Sequence, residues 1–287
     1  MLAYRHGFHA GAAADVFKHS ALIHCLRHLV QKEKPCLFVD THAGAGSYNL
    51  AEGFSAQSGE WKNGIGKIAA GGQVNGPLPA MLEKYREICG AGTGADAGVY
   101  PGSPEIMARF LRPEDRLVCF ELHPGDFDSL SERFNSSEVR AEARKEDGLA
   151  GLLSLLPPPS RRGLIFIDPS YEIKDDFDTI PGMLQKALKR FSGGMYIVWY
   201  PLLETYPAED FAERLMGLYR GNRCRAELHH ADKTAPPANS PRGFYGSGLV
   251  IFNPPWTLRP ELENTLPALA ALYGNPGKWL LQWEEKA

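Results

Sequence analysis

A single acid at the end of an apolar run is the first candidate for chemistry. The stretch GLIFIDPSYE runs from Gly163 to Glu172, and its apolar residues are typical of a strand buried on both faces. Asp168 follows that run directly, and Pro169 and Tyr171 come just after it. Burying a carboxylate costs free energy unless a partner or ligand compensates it. An acid, a proline carbonyl and an aromatic ring at one strand end therefore form a candidate site.

These three groups suit the methylation of an exocyclic adenine amine, a poor nucleophile because its lone pair is delocalised into the ring. The Asp168 carboxylate and the Pro169 carbonyl can accept its two N–H groups and direct the lone pair at a methyl donor. Such preorganised acceptors stabilise the positive charge that develops on nitrogen, and Asp168 can receive the departing proton. Tyr171 can stack on a target base that is flipped or unpaired. The structural alternative is an aspartate that caps the next helix, with Tyr171 as packing.

The loop after the first predicted strand indicates the methyl donor. Residues 36–39 are apolar, Asp40 ends the run, and the sequence THAGAG follows with Gly44 and Gly46. A dinucleotide-binding loop would need a third glycine at the position where Asn49 stands. S-adenosylmethionine has no pyrophosphate, so a loop with two glycines suits it better than it suits NAD.

Acids at the ends of two later strands extend this predicted cofactor site. Glu121 would accept hydrogen bonds from the ribose hydroxyls of the cofactor. Asp147 would accept one from its adenine amino group, and Gly148 would allow the close approach. Ligands of open α/β sheets bind beyond the carboxyl ends of the strands. We therefore expect four strand-end loops to converge on one site.

A second stretch matches the signature of amino-methyltransferases more closely by letter. The sequence NPPW runs from Asn253 to Trp256, directly after an apolar strand. That strand is predicted to be the second member of a late hairpin, so its end should point to the opposite edge of the sheet. We interpret Asn253 as a structural end of the strand and Trp256 as an aromatic anchor.

Helices and strands alternate along most of the chain. Asp15 can cap a helix that runs to about Lys32. Further helices are predicted near 79–89, 103–111, 125–134, 149–156, 176–191 and 208–220. Apolar runs predict strands near 36–39, 117–120, 139, 163–167, 195–200, 226–229 and 249–252. This rhythm predicts a doubly wound, mostly parallel α/β sheet, and two late strands without a helix between them predict one antiparallel strand.

One segment departs from this rhythm. Twelve glycines lie between residues 53 and 102, and no long apolar strand lies among them. We interpret 48–100 as an inserted small helical subdomain. The methyltransferase domain would then comprise 1–47 and 101–287, with 1–34 as an N-terminal motif segment and helix.

Composition limits the partners and the compartment. The chain has 287 residues, a net charge of −3 and a pI near 6.3, so a nucleic-acid site must be a local patch. Five cysteines without a CxxC pair are typical of a reduced, cytoplasmic protein. The first residues lack a signal-peptide pattern, and no apolar run is long enough to span a bilayer. We expect a cytoplasmic protein without membrane contact.

The first 34 residues are the strongest basic segment. They carry two acids against five basic residues, which are Arg5, Lys18, Arg27, Lys32 and Lys34. The segment is a candidate nucleic-acid patch, and a solvated basic helix face is an equally good interpretation. His24 and His28 have the spacing of a metal-ligand pair on a helix, but no third ligand is evident, so we expect no metal site.

Taken together, these motifs resemble the RlmJ family, whose members methylate the N6 position of an adenine in 23S ribosomal RNA. The start YRHGFHAGAAADVFKH resembles the opening of that family, and DTHAGAG, PPPSRRGLIFIDPSYE, WYP, GSG and NPPW follow in the family's order. The resemblance covers nearly the whole chain. Ala12 stands where the family often has asparagine, and Ser170 stands where it usually has a second proline.

The resemblance implies a Rossmann-like class I S-adenosylmethionine-dependent methyltransferase that acts on adenine 2030 of 23S ribosomal RNA. It implies that Lys18 lies next to the cofactor, where it could pair with the cofactor carboxylate, and that Tyr4 faces the RNA. It also implies a helical insertion after the AGAG loop, and we expect a monomer. With the loop glycines Gly44 and Gly46, the implied cofactor site comprises His19, His42, Ser103, Glu121, Asp147, Gly148 and Asp168.

Three alternatives stay open at this point. A DNA adenine-N6 methyltransferase would use the same four residues from Asp168 to Tyr171, because these residues do not indicate whether the nucleic acid contains ribose or deoxyribose. A catalytically silent RNA-binding module that senses S-adenosylmethionine would owe its silence to Ser170. A dehydrogenase is least favoured, because the third glycine of its loop is missing.

Overall fold

The apolar runs of the sequence form the strands of a central sheet. A computed structural model describes residues 5–71, 76–90, 98–135, 140–172, 175–234, 241–273 and 278–286. The strands are β1 (Leu37–Asp40), β2 (Ser47–Asn49), β3 (Val99–Pro101), β4 (Arg116–Phe120), β5 (Ala141–Arg144), β6 (Gly163–Ile167), β7 (Met195–Leu203), β8 (Arg223–His229), β9 (Phe244–Phe252) and β10 (Trp279–Glu284). The helices are α1 (Ala13–Val30), α2 (Gly53–Ser58), α3 (Ile65–Ala69), α4 (Ala80–Cys89), α5 (Ser103–Ala108), α6 (Pro124–Asn135), α7 (Gly148–Leu155), α8 (Asp176–Arg190), α9 (Ala208–Gly217) and α10 (Leu258–Leu272).

The main sheet has eight strands in the order β10-β8-β9-β7-β6-β1-β4-β5. The five strands from β7 to β5 pair in parallel. Strand β9 is antiparallel to both β7 and β8, and β10 is antiparallel to β8. The predicted mostly parallel sheet with an antiparallel late strand is confirmed. Because the parallel strands share one direction, the loops after β1, β4, β5 and β6 lie at the same edge.

The chain after Trp256 contains two elements that were not predicted from sequence. Helix α10 includes Pro267, which usually ends a helix, yet it buries Leu262 and Leu266 completely. Strand β10 lies at the edge of the sheet and is only partly buried. None of the helices in the described part of the chain, α10 included, is long and apolar enough to cross a membrane. The strand predicted around Val139 falls outside the described residues, and β5 follows that gap.

Helix α1 is buried on nearly all sides. It lies against α4, α5, α10 and the sheet, and all its residues from Asp15 to Ile23 are buried. The prediction that Asp15 caps this helix is wrong, because the N-cap position is Ala12 and carries no capping hydrogen bond. The Asp15 carboxylate instead accepts a hydrogen bond from the main-chain N–H of Gly11 and pairs with Lys18.

The basic residues of the first 34 positions are not all at the surface. Lys18 is 3% exposed, whereas Lys32 and Lys34 are exposed beyond the other end of α1. Arg112 and Arg162 donate hydrogen bonds to main-chain carbonyls in the last turn of α1 and just after it. These bonds satisfy carbonyl groups that a helix end leaves without partners. Lys18 is therefore not part of the candidate nucleic-acid patch, and the patch itself stays a prediction.

The residues between β2 and β3 form a group of short helices. The two strands pair antiparallel, Ser47 opposite Pro101, so the chain returns to the point where it left the main sheet. Helices α2, α3 and α4 lie between them, and α4 is the helix predicted near 79–89. Leu82 and Tyr85 of α4 are fully buried in the core cluster that also contains α1 residues. These helices occupy the predicted insertion, although its division from the rest of the chain stays a prediction.

The sequence GSG marks a place where the backbone of β9 approaches a buried ring. Gly248 is the register partner of Tyr200 on β7. A Cβ atom built on Gly248 would lie 2.0 Å from Cζ of Tyr200. The Tyr200 hydroxyl donates a hydrogen bond of 2.8 Å to Glu227, which fixes the ring. Packing of this ring therefore requires a glycine at position 248.

We expect Gly248→Ala to destabilise the fold by about 3 kcal/mol, because the ring cannot move away without breaking its buried hydrogen bond. Gly182→Ala is the matched control, since a Cβ there meets nothing within 4 Å. The control should be neutral or more stable by about 0.5–1 kcal/mol, as expected for a glycine inside a helix. Urea unfolding measures both values. Equal stability of the two variants would contradict the packing role.

Candidate active site

A cavity of about 370 Å³ lies where the loops after β1, β4, β5 and β6 meet. Nine residues predicted for the site line it, and they are His19, His42, Gly44, Ser103, Glu121, Asp147, Gly148, Asp168 and Pro169. The lining also includes residues that were not predicted for the site, among them His6, Thr41, Tyr48, His123, Asp126 and Glu146. The topology of the sheet thus brings four distant loops to one place.

Three described residues that were predicted for the site are not part of this lining, namely Gly46, Lys18 and Tyr171. Gly46 has a φ of +81°, and its carbonyl accepts a hydrogen bond of 2.9 Å from the N–H of Gly102. A Cβ on Gly46 would lie 2.9 Å from Cδ1 of Leu130. This glycine shapes the loop, and its contact with the cofactor stays a prediction. Tyr4 lies outside the described residues, so its contact with RNA stays a prediction.

Asp168 extends from the end of β6 into the cavity, with 9% of its side chain exposed. Its Oδ2 atom lies 2.6 Å from Nζ of Lys18. The other oxygen, Oδ1, has no hydrogen-bond partner among the residues that the structure describes. Helix capping does not explain this acid, because α8 begins later and has Asp175 at its N-cap position. The carboxylate is therefore held on one side and available on the other.

Lys18 is an interior cation. Its Nζ atom lies between Asp15 at 2.8 Å and Asp168 at 2.6 Å, and 5.1 Å from the centre of the Trp199 ring. Its charge is already balanced by two carboxylates, and Lys18 is not part of the cavity lining. These contacts do not favour the predicted pairing of Lys18 with the carboxylate of the cofactor, which stays a prediction.

Tyr171 lies in the core, with 1% of its surface exposed. Its hydroxyl donates a hydrogen bond of 2.7 Å to the carbonyl of Trp199, and its ring packs against Phe177 and Phe211. A φ of +51° accompanies this inward orientation. The prediction that Tyr171 stacks on a target base is wrong for this structure, because the ring packs in the apolar layer formed with α8 and α9.

An arginine from a distant loop braces the segment after Asp168. Arg242 donates hydrogen bonds to the main-chain carbonyls of Tyr171 and Glu172, the second at 2.5 Å. The Ser170 hydroxyl accepts a hydrogen bond of 3.3 Å from the N–H of Glu172, which closes a local turn. Sequence reasoning missed Arg242, because its role depends on a contact between segments about seventy residues apart.

Main-chain donors fix the Glu121 carboxylate. One oxygen accepts a hydrogen bond of 2.8 Å from the N–H of Gly44, and the other accepts one of 2.7 Å from the N–H of His123. Burial raises the pKa of Glu121, while these two N–H groups act in the opposite direction. Each oxygen keeps a second lone pair. The carboxylate can therefore accept two further hydroxyl groups without moving.

Asp147 and Gly148 have structural roles as well as places in the lining. Asp147 caps α7, since its Oδ1 atom accepts a hydrogen bond of 2.9 Å from the N–H of Ala150. A Cβ on Gly148 would lie 2.0 Å from the carbonyl oxygen of Thr41. Gly148 thus permits close contact between the start of α7 and the loop after β1. That contact requires the glycine whether or not a ligand is bound.

Two predicted histidines are held in a neutral form. Burial lowers the pKa of His19 to about 3 and the pKa of His42 to about 4. Nδ1 of His19 lies 2.8 Å from the Tyr100 hydroxyl, and Nδ1 of His42 lies 2.8 Å from the Thr41 hydroxyl. Each ring therefore has one nitrogen engaged with a hydroxyl. Neutral rings with a fixed edge can orient a ligand without adding charge.

Asp40 is a buried acid that was not predicted for the site. It ends β1, is fully buried, and accepts a hydrogen bond of 3.2 Å from the N–H of His42 through Oδ1. Its Oδ2 atom has no partner within hydrogen-bonding distance among the described residues. Burial raises the pKa of Asp40 to about 7, against the opposing effects of the Ser103 hydroxyl and the His42 N–H. Asp40 is 0% exposed and is not part of the cavity lining, so this oxygen does not contact the cavity.

Residues from the start of the chain border the cavity. Nη1 of Arg5 lies 2.7 Å from Nε2 of His123 and 3.8 Å from Oδ1 of Asp126, and both partners line the cavity. The Arg5 guanidinium also lies 5.2 Å from the centre of the Phe54 ring, which is 40% exposed. A cation and an accessible ring therefore stand together beside the cavity.

Asn253 of the NPPW sequence lies away from this cavity. Its Nδ2 atom donates to the carbonyls of Ser192 and Gly194, and its Oδ1 atom accepts a hydrogen bond from the Tyr219 hydroxyl. All three partners lie near the start of β7 or after α9, because β9 runs antiparallel to β7. The interpretation of Asn253 as a structural end of the strand agrees with these contacts.

The negative charge of the cavity favours S-adenosylmethionine over a dinucleotide cofactor. The described lining contains no lysine or arginine, and its acids are Glu121, Asp126, Glu146, Asp147, Asp168, Asp175 and Asp176. A pyrophosphate would be repelled here, whereas the sulfonium and ammonium groups of S-adenosylmethionine would be attracted. The fixed Glu121 carboxylate fits its ribose. Fold and cavity together define a class I S-adenosylmethionine-dependent methyltransferase.

Comparison with known proteins defines the family. The chain belongs to the family Ribosomal RNA large subunit methyltransferase D, RlmJ, whose model matches residues 33–285. It is 35% identical to Ribosomal RNA large subunit methyltransferase J of Haemophilus influenzae over 99% of both chains. It is 38% identical to the Escherichia coli protein of that name over 94% of this chain and 93% of the other. A crystal structure of a Legionella pneumophila protein, 35% identical, superimposes with a TM-score of 0.82 over 97% of this chain and 99% of the other.

The neutral His19 predicts a specific dependence of stability on pH. Its pKa is about 3 in the folded protein and 6.5 in the unfolded chain, so between these values the unfolded chain binds the extra proton. Stability should therefore fall with decreasing pH below 6.5, by about 1.4 kcal/mol per pH unit for this one group. His19→Gln should remove that part of the slope, measured by urea unfolding at about pH 6 and pH 5.

The same variant provides its own control. Above about pH 7.5 the histidine is neutral in both states, so wild type and His19→Gln should show parallel pH dependence there. Parallel curves over the acidic range as well would contradict the assignment of a neutral, buried His19.

Proposed function

We propose that this enzyme transfers a methyl group from S-adenosylmethionine to the N6 amino group of an adenine in 23S ribosomal RNA. The names of the Haemophilus influenzae and Escherichia coli relatives support ribosomal RNA as the substrate class. Adenine 2030, the target implied by resemblance, is the proposed position. The proposed compartment is the cytoplasm. The single observation that carries the choice of an amine is the half-free carboxylate of Asp168 in the cavity.

Asp168 and Pro169 are the proposed partners of the amine. Both line the cavity. Oδ1 of Asp168 has no partner among the described residues, and none of them donates to the carbonyl of Pro169. These two acceptors would bind the two N–H groups of the amine, which favours a pyramidal nitrogen with its lone pair directed away from them. When bound, the cofactor supplies a methyl group on a positively charged sulfur.

The same groups would stabilise the charge that forms during transfer. The nitrogen becomes positive as it accepts the methyl group, and the Asp168 carboxylate is already in place beside it. Only 9% of this side chain is exposed, so its interaction with that charge is screened less than it would be in water. Asp168 is also the proposed acceptor of the proton that leaves nitrogen afterwards.

Glu121 and Asp147 are the proposed contacts of the cofactor nucleoside. The two Glu121 oxygens keep lone pairs for the ribose hydroxyls while main-chain N–H groups hold the carboxylate still. Asp147 uses one oxygen to cap α7, which leaves the second for an adenine amino group. Acids placed in this way suit a cationic cofactor.

The surroundings of the cavity support RNA that is single-stranded or looped as the substrate. A base must leave its stack to reach Asp168. Arg5 and the exposed Phe54 ring stand side by side next to lining residues. Such a pair can contact the backbone and stack on a base of unpaired RNA. The buried Tyr171 is not part of this proposal.

Asp168→Asn should lower kcat by about 100- to 1,000-fold, because the variant loses the charge that stabilises the developing cation. Binding of S-adenosylmethionine, measured by calorimetry, should be retained. Asp178→Asn is the matched control, since Asp178 is a 78% exposed acid on α8 that pairs with Arg214. Wild-type kcat in Asp168→Asn, or an equal loss in the control, would contradict the role of Asp168.

Methyl transfer should be found with protein-free 23S ribosomal RNA or an RNA fragment around the target, and not with DNA of the same sequence. Mass spectrometry of the product nucleosides should identify N6-methyladenosine, and mapping of cellular RNA with and without the gene should show the modified adenine. Equal transfer to DNA would favour a DNA methyltransferase. Binding of S-adenosylmethionine without transfer to any RNA would favour a silent sensing module.

A further inference from the structure

One buried carboxylate connects the segment before α1 with the candidate site. Asp15 lies in the first turn of α1 and is 1% exposed. Its Oδ2 atom accepts a hydrogen bond of 2.8 Å from the N–H of Gly11 and lies 3.2 Å from Nε2 of His6. Its Oδ1 atom lies 2.8 Å from Nζ of Lys18. Each oxygen of Asp15 therefore holds a different part of the molecule.

Lys18 carries this contact on to Asp168. Its Nζ atom lies 2.6 Å from Oδ2 of Asp168, on the other side from Asp15. Asp15 and Lys18 are three residues apart on α1, so the helix sets their separation. A lysine side chain has several rotatable bonds, and a single contact would restrain it poorly. Asp15 supplies the second contact, and the Trp199 ring covers the ammonium group.

The charges of Asp15, Lys18 and Asp168 indicate a role in addition to holding the segment before α1 in place. Burial acts to raise the pKa of Asp15, but Lys18 and His6 outweigh it and hold that pKa well below its usual range. Two carboxylates around one ammonium leave one negative charge in a nearly closed region. A neutral acceptor could hold the Gly11 N–H at a smaller desolvation cost. The excess negative charge would favour a cation that forms nearby.

We propose that Asp15 is a positioning residue, which holds the Lys18 ammonium group against Oδ2 of Asp168 and so keeps Oδ1 directed at the reacting amine. This inference rests on the proposed function of Asp168. Asp15 is not part of the cavity lining and acts through Lys18. It also joins the position of His6, a lining residue, to that of Asp168. The Asp15 carboxylate thus contacts His6, near the start of the chain, and also Lys18, which pairs with Asp168.

The test compares wild type, Asp15→Asn and a matched control, Asp115→Asn. Asp115 is also fully buried, pairs with Arg112 three residues away, and accepts a main-chain hydrogen bond from Cys36, but it does not line the cavity. For each protein we would determine a crystal structure, the thermal midpoint, the affinity for S-adenosylmethionine, and kcat and KM with RNA. Asp15→Glu, which keeps the charge on a longer side chain, is the conservative variant.

Asp15→Asn should displace Nζ of Lys18 from Asp168 and lower kcat by about 10- to 100-fold, because small errors in position are costly at the reacting atoms. The affinity for S-adenosylmethionine should not change. Asp15→Glu should recover part of kcat. Asp115→Asn should lower the thermal midpoint without lowering kcat. An unchanged Lys18–Asp168 contact or unchanged kcat in Asp15→Asn would overturn the proposal, as would an equal loss of kcat in the control.

The structural readout separates this inference from the proposed function. If wild type methylates no adenine, the proposed function fails, while the crystal structure of Asp15→Asn still decides whether Asp15 holds Lys18. Should Asp15→Asn not fold, Asp15→Ser, which also removes the charge, replaces it. A shifted Lys18 with lower kcat would then support the proposal, and the wild-type position and kcat would overturn it.

Discussion

The rest of the site depends on a carboxylate that is nearly buried at the carboxyl edge of a parallel sheet. Such a group is costly unless a cation compensates it, and Lys18 on α1 is that cation for Asp168. The pairing requires α1 to lie in the interior next to β6, which is why this helix has buried charged residues among its apolar ones. The start of the chain is therefore part of the site.

Main-chain groups fix the position of several carboxylates in the site, and this role is not visible in sequence patterns. Backbone N–H groups hold both oxygens of Glu121, and the Asp147 carboxylate is anchored by the first turn of α7. Gly148 is needed because the helix touches the carbonyl of Thr41. A residue that is typical of the family at such a position can therefore be required by loop packing as well as by cofactor binding. The acids of the cavity then provide the charge that suits a sulfonium cofactor.

Topology decides between two similar tetrapeptides. The sequences DPSY and NPPW both follow apolar strands, yet β6 is parallel to its neighbours and β9 is antiparallel. The first therefore reaches the cavity and the second reaches the opposite edge, where Asn253 bonds to the loop before β7. Whether such a tetrapeptide can take part in the reaction therefore depends on the direction of the strand that it follows.

The sequence by itself determined the class of fold, the late antiparallel strand and six residues of the cavity, because strand burial and strand-end loops follow from local patterns. His19, His42 and Ser103 were implied only by the resemblance to a family. The sequence could not place Tyr171, Lys18 or Arg242. The first turns inward, the second pairs with two acids, and the third braces a loop about seventy residues away. Only the tertiary structure decided these, because a side chain's partner depends on which distant segments fold against it.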